Sequence, residues 1–478
     1  MISEDLASVK AAASQLDRWR VPGLQIAAVQ GEAVYAGGAG VRGVDDPAPV
    51  GARTLFHHGS CAKAYTALCA SVLHERGVLD LDAPVRRWVP ELELPDPVVA
   101  ERVSIRDLLS HRSGLGRHDL TWIFSPSWTR ADLVRRLAHL PLAGDLRTEM
   151  NYSNLGYALA GLAIERATDS NWEAQLAEVV LGPAGLTRAF TSVETMLGDA
   201  DHARPHRLDG TDVVPTPMRM LDGIAPAGKL ITSAECAAQW LQLQLGTLPG
   251  AADAGIAPSA VARTHVIDVG LPPDLGPVPQ LRLLGYASGW IVALYRGQHA
   301  LWHSGGVDGF LTQTMLLPGK AIGVTASANL HFSDLPMAVV LSVADELLDE
   351  PASTSWYEQL WTEHDAEPAA APAAAGHAHA HPIESYAGSY THAAYGDLDV
   401  TVSSDALSVR LGETDLTASH RHFETWELAY PALDLRIPLT FRTDAAGAVS
   451  AADADLEDDS PAVTFRRRQP GEQTASLE

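Results

Sequence analysis

The segment "HHGSCAKAYTAL" places Ser60 and Lys63 one helical turn apart, a spacing that puts a hydroxyl and an amine on one face of a helix. A serine that loses its proton to such a lysine can attack a carbonyl and carry the acyl group. Alone, the pair also fits a helix start with a solvated lysine, so the chemistry depends on partners elsewhere. In "NYSNLGYALAG", Tyr152 and Asn154 stand just before a helical pattern; Ser153 or Asn154 could equally be only its cap and Tyr152 a packed ring. In "LWHSGGVDGF", His303 precedes Gly305 and Gly306 at a strand end, where a turn would also explain it.

The elements that must position these residues follow from periodicity. Apolar spacing from Ser60 to His74 predicts a helix that begins on Gly59-Ser60, so the serine sits where backbone N–H groups and the helix dipole favour a developing oxyanion. Upstream, "MISEDLASVKAAASQLDRW" reads as an amphipathic helix, and "GLQIAAVQ" with "EAVYAGGAG" as a hairpin turning at Gly31. "IRDLLSHRSGL", "RADLVRRLAHL", "NLGYALAGLAIERAT" and "NWEAQLAEVVL" have helical spacing and predict an all-helical insert. "LLGYASGWIVALY", "QHALWHSGG", "GFLTQTMLLP" and "AIGVTASANL" then read as strands before the helix "LPMAVVLSVADELL". Antiparallel strands flanked by helices predict an α+β domain over residues 1–365.

The Ala/Pro/His stretch "EPAAAPAAAGHAHAHP" predicts a flexible linker within residues 366–382. Its alternating His377, His379 and His381 lack acidic or cysteine partners and fit a tether better than a metal site. Short alternating strands over 383–470 predict a small antiparallel barrel, with 471–478 as a disordered tail. The basic end of that barrel, Arg466 to Arg468, reads as a solvated cluster unless the barrel covers the cleft, where it would meet an acyl chain or the main domain.

Composition narrows the partners. Among 478 residues, 59 Asp and Glu outnumber 34 Lys and Arg for a net charge of −25, which argues against nucleic acid and anionic membrane surfaces. The acidic amino terminus lacks a signal-peptide core and no run approaches about 18 apolar residues, so the expected location is cytoplasmic. Cys61, Cys69 and Cys236 are odd in number and show no metal-ligand spacing. No phosphate-binding loop is present, and the expected chemistry needs no cofactor and no metal.

Taken together, Ser60-x-x-Lys63, Tyr152-x-Asn154 and His303-Ser304-Gly305 resemble the motif set of the serine β-lactamases and penicillin-binding proteins. Tyr152 replaces the serine of the usual second motif and His303 the lysine of the third. Those departures point to the wider group of β-lactamase-like esterases, D-stereospecific peptidases and acyltransferases. "LLSHRSGLGRHD" is similar to the family's His-x-Ser-Gly-Leu segment, and "APAGKLITSAECAAQW" to its Gly-Gly-Leu helix start, with Lys229 where glycine is common and within reach of the site. The resemblance covers roughly residues 5–350, and the terminal barrel resembles the lipocalin-like domain appended to some members.

What the resemblance implies is a Ser60 acyl-enzyme with Lys63 or Tyr152 as base. Backbone N–H groups of Ser60 and of the strand at Gly305 and Gly306 would be oxyanion donors. Asn154 would hold the substrate's acyl-side amide, and His303 would stand beside Tyr152, holding its proton network or meeting the leaving group. The implied substrate is a peptide or small acyl compound, carrier-bound thioesters included, with a D-residue at the reacting carbonyl. The preferred specific reading is a stand-alone penicillin-binding-protein-type thioesterase that releases and macrocyclises nonribosomal peptides. A D-stereospecific peptidase, amidase or esterase would carry the same motifs, and a non-catalytic binding protein on this fold is the alternative of another class.

Overall fold

The computed structural model describes residues 6–350, 355–365, 377–403, 406–457 and 461–469, with side chains omitted at 362–365. Its first domain is built on an antiparallel sheet whose strands lie in the order Asp46–Pro49, Ala33–Gly43, Gly23–Gln30, Ile322–Ala328, Phe310–Leu317, Gln298–Val307, Ile291–Tyr295, Leu281–Tyr286 and Val269–Gly270. Every residue of Ile322–Ala328, and all of Gly23–Gln30 but the last, is buried, because helices cover both faces. Leu24, Ile26 and Ala28 point to the core shared with helices Ala7–Trp19 and Leu335–Leu347, while Ala27 and Val29 point to the core of helices Ala62–Glu75 and Ala234–Leu245. The expected α+β architecture is present, including the hairpin turn at Gly31, which adopts a φ of 61°.

The predicted all-helical insert is present, the named elements from Ile105 to Leu181 being helices. Outside it lie a small sheet of Phe56–His57, Ile231–Thr232 and Ala189–Phe190, and a hairpin of His206–Asp209 with Asp212–Pro215. The helix predicted in "NLGYALAGLAIERAT" spans Asn154–Thr168, capped by the Ser153 hydroxyl, which accepts from the Gly156 N–H. The one predicted in "IRDLLSHRSGL" ends early, at Leu109. The backbone turns left-handed at His111 and Gly114, and the chain leaves as a loop.

That loop is anchored by Asp107, whose side chain is fully buried. Its carboxylate accepts from Ser104, from Arg112 Nε at 2.7 Å and from Arg147 Nε and Nη2 at 2.9 and 2.8 Å. Burial works against its charge, but Arg147, Ser104 and Arg112 outweigh it and hold the carboxyl below the usual range. Backbone bonds from Arg147 to Arg112 and from Asn151 to His111 tie the same loop to the one that carries Tyr152.

Eight strands from Gly388–His392 to Val463–Arg467 close into the expected barrel, filled by Tyr386, Tyr390, Trp426, Phe441 and Phe465. In its basic end the Arg466 side chain is exposed, as expected of a solvated cluster, whereas Arg467 and Arg468 are drawn into the structure. Arg466 and Arg467 pair with Thr391 and Tyr390 in the closing strand contact. Arg467 donates to the carbonyls of Ser385, Val449 and Ala387, and Arg468 pairs with Asp397, so these arginines seal the barrel where first and last strands meet. The histidines read as a tether also lie on the barrel: His377 stacks on Phe423, His379 packs against Trp426, and His381 meets Glu424 and the Gly447 carbonyl. Residues 366–376 of the predicted linker and the tail from 470 onward lie outside the described residues.

The barrel docks on the segment from His118 to Arg136. The Glu413 N–H donates to the Phe124 carbonyl at 2.7 Å, Arg136 donates to the Ala393 carbonyl at 3.0 Å, and the Phe124 and Tyr430 rings meet edge to face. Among the described residues no helix is long and apolar enough to cross a membrane.

Replacing Asp107 by Ala leaves two arginines facing a buried, unpaired site. The expected cost is about 1.5–3 kcal/mol, the range for lost hydrogen bonds to a charged group, read as a lowered midpoint in urea unfolding; an unchanged midpoint would show that the two loops are held by other contacts.

Candidate active site

The site begins at a close crossing. Gly59 has a φ of 51°, and Gly59–Cys61 form a 3₁₀ turn that leads into the helix from Ala62, so Ser60 stands in that turn and the α-helix expected from Gly59-Ser60 begins two residues after it. Strand Gln298–Val307 runs directly beneath. A Cβ on Gly305 would collide with the His58 carbonyl and crowd the Ser60 and Cys61 N–H groups. Glycine at 305 therefore lets strand and turn approach, while Gly306 lines the cleft beside Ser60.

Lys63 is completely buried beneath the serine. Its Nζ lies 2.7 Å from Asn154 Oδ1, 2.7 Å from the Ala227 carbonyl and 3.1 Å from Ser60 Oγ. Asn154 cannot turn its amide around, because its Nδ2 donates to Asp119 Oδ1 at 2.8 Å. Burial drives the lysine well below its ordinary pKa; Asp119 opposes this and Arg117 adds to it. Tyr152 shares a hydrogen bond with Ser60, and burial raises its phenol above the ordinary range despite that bond and the nearby Arg117. A neutral phenol beside a lysine that favours its amine form can donate a proton but is a poor resting base.

His303 lines the cleft with its ring centroid 6.4 Å from that of Tyr152, but its hydrogen bonds run elsewhere. Nδ1 donates to the Ser304 carbonyl at 2.6 Å, which leaves Nε2 to accept from the Tyr286 hydroxyl at 2.9 Å. Burial, reinforced by Lys63, lowers its pKa to about 3. His303 is thus a fixed neutral ring whose two nitrogens are bonded to Ser304 and Tyr286 and not to Tyr152, so it does not hold the Tyr152 proton network that the resemblance offered as one of its roles. Lys229 also departs from expectation: its amine is paired with Asp222, and it is not among the residues lining the cleft.

The cleft holds about 520 Å³ and brings together Ser60, Tyr152, Asn154, His303 and Gly306 with several residues not singled out by the motifs. Asp119 accepts from Asn154, from the Trp122 indole at 2.9 Å and from Arg117 at 2.6 Å. Arg219 is paired with Asp308 at 2.6 Å. His111 is fully buried, takes the Ser153 N–H on Nδ1 and packs its ring 4.3 Å from that of Tyr152. The barrel adds Leu433 and Leu435 to the cleft wall. Arg117, His118 and Asp119 were visible in "SGLGRHD", but their role depends on a contact with Asn154 that sequence order does not reveal. Cys61, Cys69 and Cys236 are buried and free, and no group of three or more metal-ligating side chains occurs among the described residues.

A cleft-lining serine over a buried lysine, at a tight glycine crossing, is the arrangement of the serine acyl-transfer enzymes. Residues 9–344 match the family model "Beta-lactamase", and residues 372–469 match "Domain of unknown function (DUF3471)". The chain belongs to the beta-lactamase family, and it is a serine hydrolase by class. Its relatives include "Unguisins hydrolase ungD'" of Aspergillus campestris, 27% identical over 84% of this chain and 78% of that protein. Among solved structures, the octameric penicillin-binding protein homologue of Pyrococcus abyssi superposes with a TM-score of 0.64 at 21% identity, over 97% of this chain and 100% of the other. A D-stereospecific amidohydrolase from Streptomyces sp. reaches 0.57 at 21% identity, over 71% and 98%. The family and the assembled site set aside the non-catalytic reading.

Gly305→Ala must push the strand away from the Ser60 turn. It should lower kcat by about 10²–10³-fold, the range seen when one oxyanion donor is lost, with a much smaller change in KM; steady-state kinetics that match the parent would mean the crossing does not set the site.

Proposed function

We propose that the chain hydrolyses amide, ester or thioester bonds that follow a D-residue of a peptide, through an acyl-enzyme on Ser60. The observation that carries the chemistry is the coordination of Lys63. The Asn154 and Ala227 oxygens can only accept, so they fix two of its hydrogens. In the neutral amine the remaining position, facing Ser60 Oγ, is a lone pair. Lys63 then takes the serine proton as Oγ bonds to the carbonyl carbon. The Ser60 and Gly306 N–H groups receive the oxyanion. Tyr152 passes a proton to the leaving group as the tetrahedral intermediate collapses, and Lys63 restores it. Water then attacks the acyl-enzyme by the same steps in reverse. Asp119 uses one Nδ2 hydrogen of Asn154, leaving the other to hold a substrate carbonyl.

The cleft's charges favour a neutral reacting end. His303 is uncharged where the family usually has an ammonium, and the two cleft arginines, Arg117 and Arg219, each lie on an aspartate. An internal, capped or cyclic peptide bond suits this wall better than a free terminal carboxylate. The D-residue preference is supported by the names borne by structural neighbours such as the Streptomyces amidohydrolase, and hydrolysis by the unguisins hydrolase, which aligns across both domains. A second reading, release with macrocyclisation, is favoured by one feature. Leu433 and Leu435 join Trp122, Ile123 and Val307 in an apolar wall able to keep water from an acyl-enzyme while a peptide's own amine attacks.

A peptide thioester with a free amine and a carboxyl-terminal D-residue, tested beside its L-epimer and a Ser60→Ala control, separates the readings by product mass. Linear acid from the D-epimer alone is the expected result. A cyclic product would replace hydrolysis by the second reading, and equal turnover of both epimers would remove the D-preference. Because Lys63 acts as the amine, kcat/KM should fall as pH falls through its depressed pKa. Lys63→Met should cost about 10²–10⁴-fold; a pH-independent rate or a near-normal Met variant would exclude Lys63 as base.

A further inference from the structure

The second domain reaches the catalytic network through one acidic side chain. Glu457, three residues past the barrel strand Val449–Ala454, faces the backbone N–H groups of His118 and Asp119, and its Oε1 is buried with no hydrogen-bond partner. Tyr395, also of the barrel, donates its hydroxyl to His118 Nδ1 at 2.9 Å, since His118 Nε2 is committed to the Pro141 carbonyl at 3.1 Å. The barrel therefore grips the three-residue turn Arg117 to Asp119 from one side. On the other side Asp119 holds Asn154, and Asn154 holds Lys63.

We propose that Glu457 is a positioning residue for the Ser60–Lys63 centre, seating the Arg117–Asp119 turn that presses Asn154 against Lys63. The proposal rests on the Ser60–Lys63 reading given above. It also assigns the barrel a task beyond lining the cleft, because Tyr395 and Glu457 meet the turn that orients Asn154.

The surroundings of Glu457 give this contact a pH dependence. Burial and the neighbouring Asp119 raise its carboxyl, Arg117 and the two backbone N–H groups lower it, and the balance lies at about 7. Among the described residues the Tyr395 phenol also faces it, and the His118 ring, held below its ordinary pKa by burial, lies on the same turn. Its folded pKa lies above the ordinary glutamate value, so the docked arrangement is favoured by the protonated form. That support is complete below the ordinary carboxylate range and is lost as pH rises through about 7. An ionised Glu457 would bury an unpartnered oxygen beside the Asp119 carboxylate and compete with it for Arg117.

The test uses the full chain and p-nitrophenyl acetate as probe, with kcat/KM measured from pH 5.5 to 9 for the parent, Glu457→Gln and Glu457→Ala. The parent should show, beyond the acid limb set by Lys63, a decline of about threefold centred near pH 7. Gln, which keeps the shape and cannot ionise, should hold the low-pH rate across that interval. Ala should lose about tenfold at every pH, so that Gln acts as the rescuing variant. A decline of the same size in parent and Gln, or Ala kinetics equal to the parent, would overturn the proposal. If Ala fails to fold, the comparison of parent with Gln still decides. A Ser60→Ala protein that retains the p-nitrophenyl acetate rate would instead sink the underlying catalytic reading, an outcome independent of the Glu457 profile.

Discussion

A lysine amine with no contact with bulk water is the constraint around which the rest is arranged. Burying an ammonium is costly unless every hydrogen finds an acceptor, and the fold meets the demand with the Asn154 and Ala227 oxygens, leaving only the direction of Ser60 open. Each acceptor comes from a separate element: Asn154 from the start of a capped helix, Ala227 from a short turn of helix in another part of the chain. The tyrosines around it, Tyr152 and Tyr157, present ring faces to the amine at 4.7 and 5.3 Å. Those faces favour a cation, which counters part of the burial penalty and keeps the lysine able to hold the proton it receives. The chemistry is therefore a property of how helices and loops pack, not of the serine–lysine spacing alone.

The second domain extends the same logic. The barrel is closed by Arg467 on the Ser385, Ala387 and Val449 carbonyls, and it lies against the loop after Gly116 instead of a remote face. Leucines from its turn at 431–435 border the space where a substrate must lie, and Tyr395 and Glu457 touch the turn that orients Asn154. Both domains consequently line the cleft, and the proposed role of Glu457 makes barrel docking part of the site.

Much of this was legible in the chain because the signals are local. Ser60 with Lys63, Tyr152 with Asn154, and His303 with the glycine pair each sit within a few residues, and the helix Asn154–Thr168 follows from an apolar stripe with a serine cap. The antiparallel strands and the barrel likewise announce themselves by alternation. What was not legible is what long side chains do after the chain folds. Lys229 occupies a position next to the site in sequence logic, yet its flexible stem carries the amine to Asp222. His303 keeps its place in the cleft, but its two ring nitrogens are claimed by Ser304 and Tyr286, the second from a neighbouring strand. Arg466 to Arg468 look like a solvated tail until strand closure gives Arg467 and Arg468 partners. Asp119 and Glu457 were missed because their meaning lies in contacts between segments far apart in the chain.

The central claim is that Ser60 carries the acyl group and that Lys63 puts it there. Rapid-quench mass spectrometry of the parent and of Lys63→Met, mixed with an ester of a peptide ending in a D-residue and digested before analysis, tests it directly. The account predicts an acyl mass increment on the peptide containing Ser60 within the first turnover of the parent, and a greatly slowed increment at the same serine in the Met variant. An increment on another residue, turnover without any covalent adduct, or equal acylation rates in the two proteins would contradict it.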